Sequence, residues 1–447
     1  MTRVSHGLDR VAVIFDEPNL VANAGLLLVA TLSRRLGSEA LIDTTVRLIG
    51  RVGGCPPGPQ GVDVGSRDDR RRIAYRSRRH APCRFHGRGV GPSGDGASNV
   101  GDASAVVHVR SCPPARSGHR TSNRTRLGGG CGARVGGDDG RCGLDDLRRA
   151  RQGQQGAAYG YTKTLGYHPL LATRADTGEV LHARMRKGSA NTQRGVKRFA
   201  TEVVARLRRA GASGPLTVRG DAGFYSWELI TTLNRLNVRW SITVTMNPSI
   251  RTAIAAIDEG DWIDIAYPDG GAAQVAETTY VTGGGLTKRA ERHVRLIVRR
   301  TRLTDPAQAQ LWPDWRHHAF VTNIELPTVE ADQFHRRHAV VELAIRDLKE
   351  GAGLDHVPSG NFHANSAWLQ CAVLAHNLIR WTAIIGDVHV NDELTVARTM
   401  RTRLIGLPGR LVNRAGRPTL RLPDRWPWAN TFTTALATLR LLRPAPT

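Results

Sequence analysis

Acidic residues are scarce in this chain of 447 residues. There are 39 Asp and Glu against 63 Lys and Arg, which gives a formal net charge of +24 at neutral pH. A protein this basic usually binds a polyanion, of which nucleic acid is the leading candidate. The deficit of acidic residues argues against a protein whose surface mainly attracts cations. The basic residues are mostly Arg, which a gene of high GC content also produces, so charge alone leaves both explanations open.

Long apolar runs are lacking as well. The longest, near residues 24–32, is too short to span a bilayer. The first 20 residues hold five charged side chains among short apolar stretches, which is not the pattern of a signal peptide. We therefore expect a cytoplasmic protein with no membrane partner.

Residues 51–153 lack most of what a folded core needs. These 103 residues hold 20 Arg and 21 Gly, no Lys, no Glu, and only five residues of the types Ile, Leu, Phe, Met and Trp. Such a segment cannot bury enough apolar surface to offset its chain entropy, so we expect it to be disordered or poorly folded. Five of the six Cys fall here, without the second CxxC or HxxxH pattern that a zinc finger needs.

The segment has two main explanations, an Arg/Gly-rich nucleic-acid-binding linker or a high-GC gene translated in the wrong frame. An RNA-binding protein built on it would offer only Tyr75 and Phe85 for bases to stack on, which counts against that role. A shift of one base lets the codons of residues 64–69 read Leu-Val-His-Ala-Met and those of residues 143–147 read Asp-Ser-Thr-Ile. Together with the change of composition at both ends, these readings favour a frameshift.

The flanking parts of the chain look like ordinary protein. Residues 1–50 contain two short helical patterns joined by Gly-Ser, typical of a helix-turn-helix DNA-binding module and equally of a plain helical hairpin. After the segment, the order strand, strand, strand, helix, strand, helix is that of an RNase H-like α/β fold with a mixed sheet. We expect residues 154–249 to form the first part of this domain, 250–318 a β-rich insertion, 319–385 its completion and 386–447 a basic C-terminal region.

The stretch "TVRGDAGFYS" places Asp221 at the end of a predicted strand, between two Gly. A strand end is rigid and its loop is open to substrate, so a carboxylate that holds a catalytic metal is well placed there. An Asp beside Gly is also common in simple turns, and the motif alone does not decide between the two.

A second motif, "HRRHAVVELAIRDLK", predicts a helix. Glu342, Arg346 and Lys349 would lie on one face, and His338 and His335 would extend that face backwards. An acid flanked by basic groups suits a metal ligand beside DNA phosphates. A solvated face with Glu–Arg pairing is the alternative, and for a lone helix it is the simpler one.

The pair "RGDAGF" and "E-(6)-K" resembles the DDE transposases of bacterial insertion sequences. More narrowly, "QGAAYGYTKTLGYHPLLATRADTGEVLHARMRKGSANT" and "DLKEGAGLDHVPSGNFHANSAWLQCAVLAHNLIRW" are similar to the insertion-sequence thirteen-eighty group. The resemblance is dense over residues 155–447 and looser over residues 1–50. Its motifs fall in the expected order, with a β-rich insertion between the second Asp and the Glu.

This resemblance implies DNA cleavage and strand transfer by an RNase H-like domain. Asp, Asp and Glu bind two Mg²⁺ ions, one activating the nucleophile and the other stabilising the leaving oxygen. Asp221 would be the second Asp and Glu342 the Glu, both as catalytic metal ligands. The implied partners are double-stranded DNA, namely the terminal inverted repeats of an insertion sequence, and a second copy of the chain in a synaptic homodimer.

The basic part of the family pattern is only half met. Lys349 stands at the Lys of the signature Tyr-(2)-Arg-(3)-Glu-(6)-Lys, but His335 replaces its Tyr and His338 its Arg. A protonated His still carries a charge that phosphate attracts. These three residues and Arg346 are therefore the DNA-binding candidates.

The first Asp of the family pattern has no counterpart. It should stand on the first strand, shortly before "QGAAYGYTK", where this chain reads "GRCGLDDLRRARQGQ". Asp145 and Asp146 are the nearest acids, but their neighbours do not make a buried strand, whereas the shifted frame supplies Asp-Ser-Thr-Ile. We therefore expect the first strand of the sheet to be lost and the chain to be inactive. The alternative is a non-catalytic remnant that binds insertion-sequence ends.

Overall fold

A computed structural model describes eleven parts of the chain, which are residues 19–46, 105–111, 153–160, 163, 165–267, 271–282, 292–302, 315–337, 339–388, 395–415 and 417–445. For residues 105–111 the description is of the backbone. The described residues form two compact units, one made of residues 19–46 and 381–445 and the other of residues between 105 and 380. None of the helices in these ranges is long and apolar enough to cross a membrane.

The described strands are β1 (Leu20–Val21), β2 (Ala105–Ser111), β3 (Ala158–Tyr159), β4 (Leu165–Gly166), β5 (Leu170–Arg174), β6 (Val180–Arg184), β7 (Leu216–Gly220), β8 (Arg239–Thr243), β9 (Ile263–Asp264), β10 (Ala272–Thr282), β11 (Arg292–Arg302), β12 (Arg316–Thr322), β13 (Gly409–Arg414) and β14 (Arg417–Arg421). The described α-helices are α1 (Leu26–Arg35), α2 (Ser38–Thr45), α3 (Val196–Arg209), α4 (Trp227–Arg235), α5 (Pro248–Ala255), α6 (Thr328–Arg336), α7 (Ala339–Arg346), α8 (Phe362–Ile385), α9 (Ala397–Met400) and α10 (Ala429–Leu441).

The larger unit is built on a nine-stranded sheet with the order β6-β5-β2-β7-β8-β12-β11-β10-β9. On one side of β2, β5 runs antiparallel to it and β6 runs antiparallel to β5; on the other side β7 and β8 both run parallel to β2. This combination of order and direction over the first five strands is that of an RNase H-like sheet, so the predicted fold class is confirmed. The strands of the β-rich region, β9 to β11, extend the same sheet beyond β12.

Helices cover both faces of this sheet because the strands are buried on both sides. The core on one face contains apolar residues of α3, α4 and the central strands, among them Phe199, Val218 and the fully buried Trp240. On the opposite face α6 packs against β10, β11 and β12 through Ala331, and α7 and α8 pack against β5 and β6.

The structure corrects two expectations. The first strand of the sheet is not lost, because Ala105–Ser111 pairs with both β5 and β7 at its place; the rest of residues 51–153 before Gly153 lies outside the described residues. The single helix expected over "HRRHAVVELAIRDLK", residues 335–349, is instead the end of α6, the helix α7 and the start of a π-helical turn, Asp347–Gly351. The interruption near Arg337 lets α6 and α7 cover different hydrophobic clusters.

Glu202 of α3 ties that helix to the edge strand β6. His182 Nε2 lies 2.8 Å from Glu202 Oε2, Arg198 Nε lies 3.0 Å from Oε1, and Arg184 also donates to Oε2. Burial alone would raise the pKa of Glu202, but these hydrogen bonds outweigh it and lower the pKa from 4.5 to about 2.

These contacts predict an acid-sensitive contribution to stability. Because the folded-state pKa of Glu202 lies below its unfolded value, the stabilisation is complete above the unfolded pKa of 4.5 and is lost as the pH falls towards about 2. In urea titrations at a series of pH values below neutrality, the free energy of unfolding should fall less steeply in Glu202→Gln than in the wild type. Glu330→Gln, at an exposed position of α6, should keep the wild-type slope. Equal slopes in the Glu202→Gln variant and the wild type would contradict this account.

Candidate functional site

Asp221 stands where β7 ends and a short 3-10 turn, Ala222–Phe224, begins. Its backbone is extended, with φ −75° and ψ 175°, and its carboxylate Oδ1 accepts a hydrogen bond of 3.0 Å from the backbone N–H of Gly223. Phe224 is fully buried in the core beneath the turn. The turn is therefore anchored by packing, and the partly exposed Asp221 is held at a fixed position at the end of the sheet.

Gly223, two residues after Asp221, lies where another loop approaches closely. A Cβ at Gly223 would lie 2.8 Å from Thr192 Cγ2, closer than side chains tolerate. Gln193 in the same loop donates its side-chain Nε2 to the carbonyl oxygen of Tyr225 over 2.9 Å. The loop that follows β6 thus packs directly against the turn that carries Asp221.

Arg186 fixes this loop from within and was not singled out by the sequence. It is 8% exposed, and its Nη1 donates to the carbonyl oxygens of Asn191, Thr192 and Arg194 at 2.9–3.1 Å, while its Nε donates to that of His168 at 2.8 Å. Burial, with a smaller effect of a neighbouring Arg, lowers the pKa of Arg186 to about 10, so it remains a cation at neutral pH. The four carbonyl oxygens come together around one guanidinium only when the loop folds. No local sequence pattern therefore predicts this role for Arg186.

The strand beside Asp221 contains no acid. In the parallel pairing of β2 and β7, Val109 lies opposite Gly220, so Arg110 is the β2 residue level with Asp221. The sequence of β2 is AVVHVRS, without Asp or Glu. The place where the family pattern puts its first carboxylate is therefore occupied by a strand that cannot supply one.

Glu342 and Arg346 lie on α7, which crosses the sheet face opposite α3. Glu342 is partly exposed and Arg346 is exposed, while Ile345 between them is buried. The side chain of Arg219, two residues before Asp221, donates to the carbonyl oxygen of Phe334 in α6 on this same face. Because side chains alternate along an extended strand, Asp221 projects towards the face that carries α6 and α7.

Lys349 does not extend the predicted face of α7. The turn Asp347–Gly351 is π-helical, which changes the angular spacing after Arg346 and directs Lys349 inwards. Lys349 is 5% exposed, and its Nζ has no hydrogen-bond partner among the described residues. Asp347 in the same turn is held by Arg380 Nη2 at 3.2 Å. The expectation of an exposed Lys349 in line with Glu342 is thus wrong in geometry.

His335 is also inside the protein. It is 2% exposed, its Nδ1 lies 2.6 Å from Ser241 Oγ, its Nε2 lies 3.1 Å from Thr243 Oγ1, and its ring stacks on Phe320 at 4.0 Å. Because His335 is buried, it does not meet the expectation of a contact with DNA phosphate. Its contacts instead pack α6 against β8 and β12.

The remaining site candidates lie outside the described residues. These are His338, Asp145 and Asp146. Of the residues proposed as ligands or DNA contacts, the structure therefore gives places to Asp221, Glu342, Arg346, Lys349 and His335 only.

The donor set does not fit a two-metal centre. Among the described residues no group of three or more His, Cys, Asp or Glu side chains comes together in a way that would hold a metal ion. Asp221 and Glu342 are the two carboxylates of the expected pattern, and β2 adds none. A pair of Mg²⁺ ions needs more oxygen ligands than the described residues of this site supply, so we derive no metal-dependent step for it.

Comparison with known proteins gives one family match. The family model described as "Transposase DDE domain group 1" matches residues 144–444. No curated protein matches the chain. Among solved structures the chain is similar to one titled "Cryo-EM structure of piggyBac transposase synaptic complex with hairpin DNA (SNHP)", at 9% identity and a TM-score of 0.32, covering 65% of this chain and 51% of that chain. The chain thus spans about half of that protein, and a likeness this distant decides neither fold nor function.

The buried ammonium group of Lys349 predicts a stabilising substitution. Lys349→Met keeps an unbranched side chain that is one atom shorter, and it removes a buried nitrogen without a hydrogen-bond partner among the described residues, a group that typically costs about 1–3 kcal/mol. We expect the free energy of unfolding in urea to rise by about that amount. Arg346→Met, at an exposed position three residues earlier, should leave it nearly unchanged. A less stable Lys349→Met variant would show that the nitrogen has a favourable partner.

Proposed function

The chain belongs to the Transposase DDE domain group 1 family, and we propose that this member binds insertion-sequence DNA but does not cut it. The observation that carries the proposal is the absence of any acid in β2, the strand beside Asp221. Cleavage in this family is expected to need three carboxylates that hold two metal ions. Among the described residues only Asp221 and Glu342 fill places of this pattern, and two carboxylates are too few to hold that pair of ions.

The limits of the family match support a frameshift as the cause. The match begins at residue 144, so β2 at residues 105–111 lies outside it. The codons of residues 143–147 are also those that read Asp-Ser-Thr-Ile after a shift of one base. We infer that residues from about 51 to 153 replace the family's own first strand and its Asp, and that the normal frame returns close to the start of the match.

DNA binding does not depend on the missing carboxylate. The chain carries a net charge of +24, and the electrostatic attraction to DNA phosphates requires only exposed basic groups. Arg346 is one such group beside Glu342, and Lys349 would join it only if the turn Asp347–Gly351 opened. We propose double-stranded insertion-sequence ends as the partner and a homodimer as the form that would hold two of them. Such a remnant would compete with an intact copy for the same ends.

This proposal predicts binding without nicking. The probe is a labelled duplex that carries the inverted repeat flanking the coding sequence, followed by gel retardation and by denaturing gels after incubation with Mg²⁺ or Mn²⁺. We expect a retarded complex and no cleaved strand, because the site lacks its first carboxylate.

Two further chains make the result decisive. A chain translated with the frame restored across codons 51–153 should nick the same probe, and Asp221→Asn in that restored chain should abolish nicking. If the original chain nicked the probe and lost this activity with Asp221→Asn, the proposed loss of catalysis would be wrong. If it retarded no duplex at all, the proposed DNA binding would be wrong.

A further inference from the structure

A groove of about 1030 Å³ opens beside the turn that follows Asp221. Its walls are the loop after β6, the residues that join the turn to α4, the start of α5 and the end of β10. The residues that line it include Asn191, Gln193, Arg194, Tyr225, Asn247 and Tyr280. A volume of this order suits a small molecule or a few linked nucleotides, and it is too small for a duplex.

The loop after β6 is held in place by contacts that need no ligand. Arg186 donates to three carbonyl oxygens of this loop, and Gln193 Nε2 donates to the carbonyl oxygen of Tyr225 over 2.9 Å. Asn191 and Arg194 are exposed on the loop that these contacts fix. Groups that are fixed before binding lose less conformational entropy when a ligand arrives, so this wall of the groove is preorganised for contact.

Two side-chain amides of the groove are oriented by hydrogen bonds to nearby backbone. Asn191 Oδ1 accepts from the backbone N–H of Gln193 at 3.0 Å, and Asn247 Oδ1 accepts from that of Ile250 at 2.9 Å. Neither Nδ2 group has a hydrogen-bond partner among the described residues, and the same holds for the guanidinium of Arg194. The groove therefore presents three sets of unused hydrogen-bond donors, which favour a ligand rich in acceptors.

The charge of the lining argues against a site for phosphate alone. Arg194 is the one cation and Glu228 the one acid among the described lining residues, so the two charges balance. The carboxylate of Glu228 and Oε1 of Gln193 add acceptors to the donors of the amides and of Arg194. A ligand that carries donors and acceptors close together matches this set, as the edges of nucleobases do.

Two tyrosine rings add an aromatic surface to the groove. Tyr225 and Tyr280 are half-buried and pack against the core, and Tyr280 Oη lies 3.1 Å from Ser249 Oγ. Burial, with a smaller effect of Tyr280, raises the pKa of Tyr225, so its phenol stays neutral. Bases of an unpaired strand stack on aromatic side chains, whereas the base faces in a duplex are covered by their neighbours. The groove therefore suits an unpaired strand better than a duplex.

We propose that this groove binds unpaired nucleotides at the end of an insertion-sequence DNA, with Asn191 and Asn247 donating to base edges and Arg194 contacting a phosphate. The proposal rests on the proposed function in so far as the ligand is DNA. It adds a site for a single strand to the general attraction between the basic chain and the phosphates of a duplex.

The test compares two duplexes that carry the same inverted repeat. One is fully paired, and in the other the outermost few base pairs are mismatched, so that both strands are unpaired there. The full chain should bind the mismatched probe at least about tenfold more tightly, because stacking and hydrogen bonds in the groove are added.

A groove variant of the full chain combines Asn191→Asp, Arg194→Gln and Asn247→Asp. It should bind the two probes with nearly equal affinity, because the donors that face the ligand are gone. Both Asp residues keep the oxygen that accepts from the backbone, and Asp is as good as Asn at the start of a helix, so the melting temperature should not change.

A matched control makes the same change of charge at the far end of α4, about 12 Å from the groove. It combines Asn234→Asp, Arg235→Gln and Asn237→Asp, all at exposed positions. We expect this control to keep the preference of the wild type for the mismatched probe. Equal binding of both probes by the wild type, or a preference that survives in the groove variant, would overturn the inference and leave duplex binding intact. Failure of the wild type to bind either probe would contradict the proposed function, and this inference with it.

Discussion

The larger unit depends on the hydrogen-bond ladders that β2 makes with β5 and β7 at the centre of its sheet. Without a strand there, the N–H and C=O groups of both neighbours would be left unpaired in the interior, at a cost of about 1–3 kcal/mol for each buried group. Backbone groups are the same in every residue, so this demand can be met by any segment that tolerates an extended conformation. Ala105–Ser111 meets it with an apolar, β-branched start, Ala-Val-Val.

The chemistry of the site makes a stricter demand that β2 does not meet. The proposed metal site needs a further carboxylate close to Asp221, and the β2 residue level with Asp221 is Arg110. If residues 51–153 are frameshifted, as we propose, the fold and the catalytic site would differ in their tolerance of the change. The sheet would accept a substitute strand, whereas the site would lose a ligand that hydrogen bonding of the backbone cannot replace.

The sequence predicted the parts that depend on local pattern. The alternation before Asp221 and its flanking glycines located a strand end with an anchored turn, and the apolar spacing around Glu342 located a helix. The same reasoning missed β2, because seven extended residues were hidden in a segment judged by its average composition. The same reasoning also failed to predict that the side chains of Lys349 and His335 are buried. A π-helical turn and a ring stacked on Phe320 are decided by tertiary packing, not by periodicity.

The tertiary structure also divides the high Arg content into two groups. Some Arg residues serve the fold, as when Arg299 Nη1 binds the fully buried Asp332 at 2.7 Å, or when Arg300 lies over the rings of Trp262 and Trp315. Others lie exposed, such as Arg34 and Arg425. The net charge of +24 therefore overstates the charge that is available to bind a polyanion.

The proposed loss of cleavage requires that the site beside β2 lack a carboxylate and so fail to hold the expected metal ions. Titration of the full chain with Mn²⁺, followed by the electron paramagnetic resonance signal of the free ion, measures this directly and without DNA. The account predicts no tight, saturable Mn²⁺ binding that differs between the wild type and Asp221→Asn. Stoichiometric Mn²⁺ binding that disappears in Asp221→Asn would contradict it, since the site would then possess a complete ligand set.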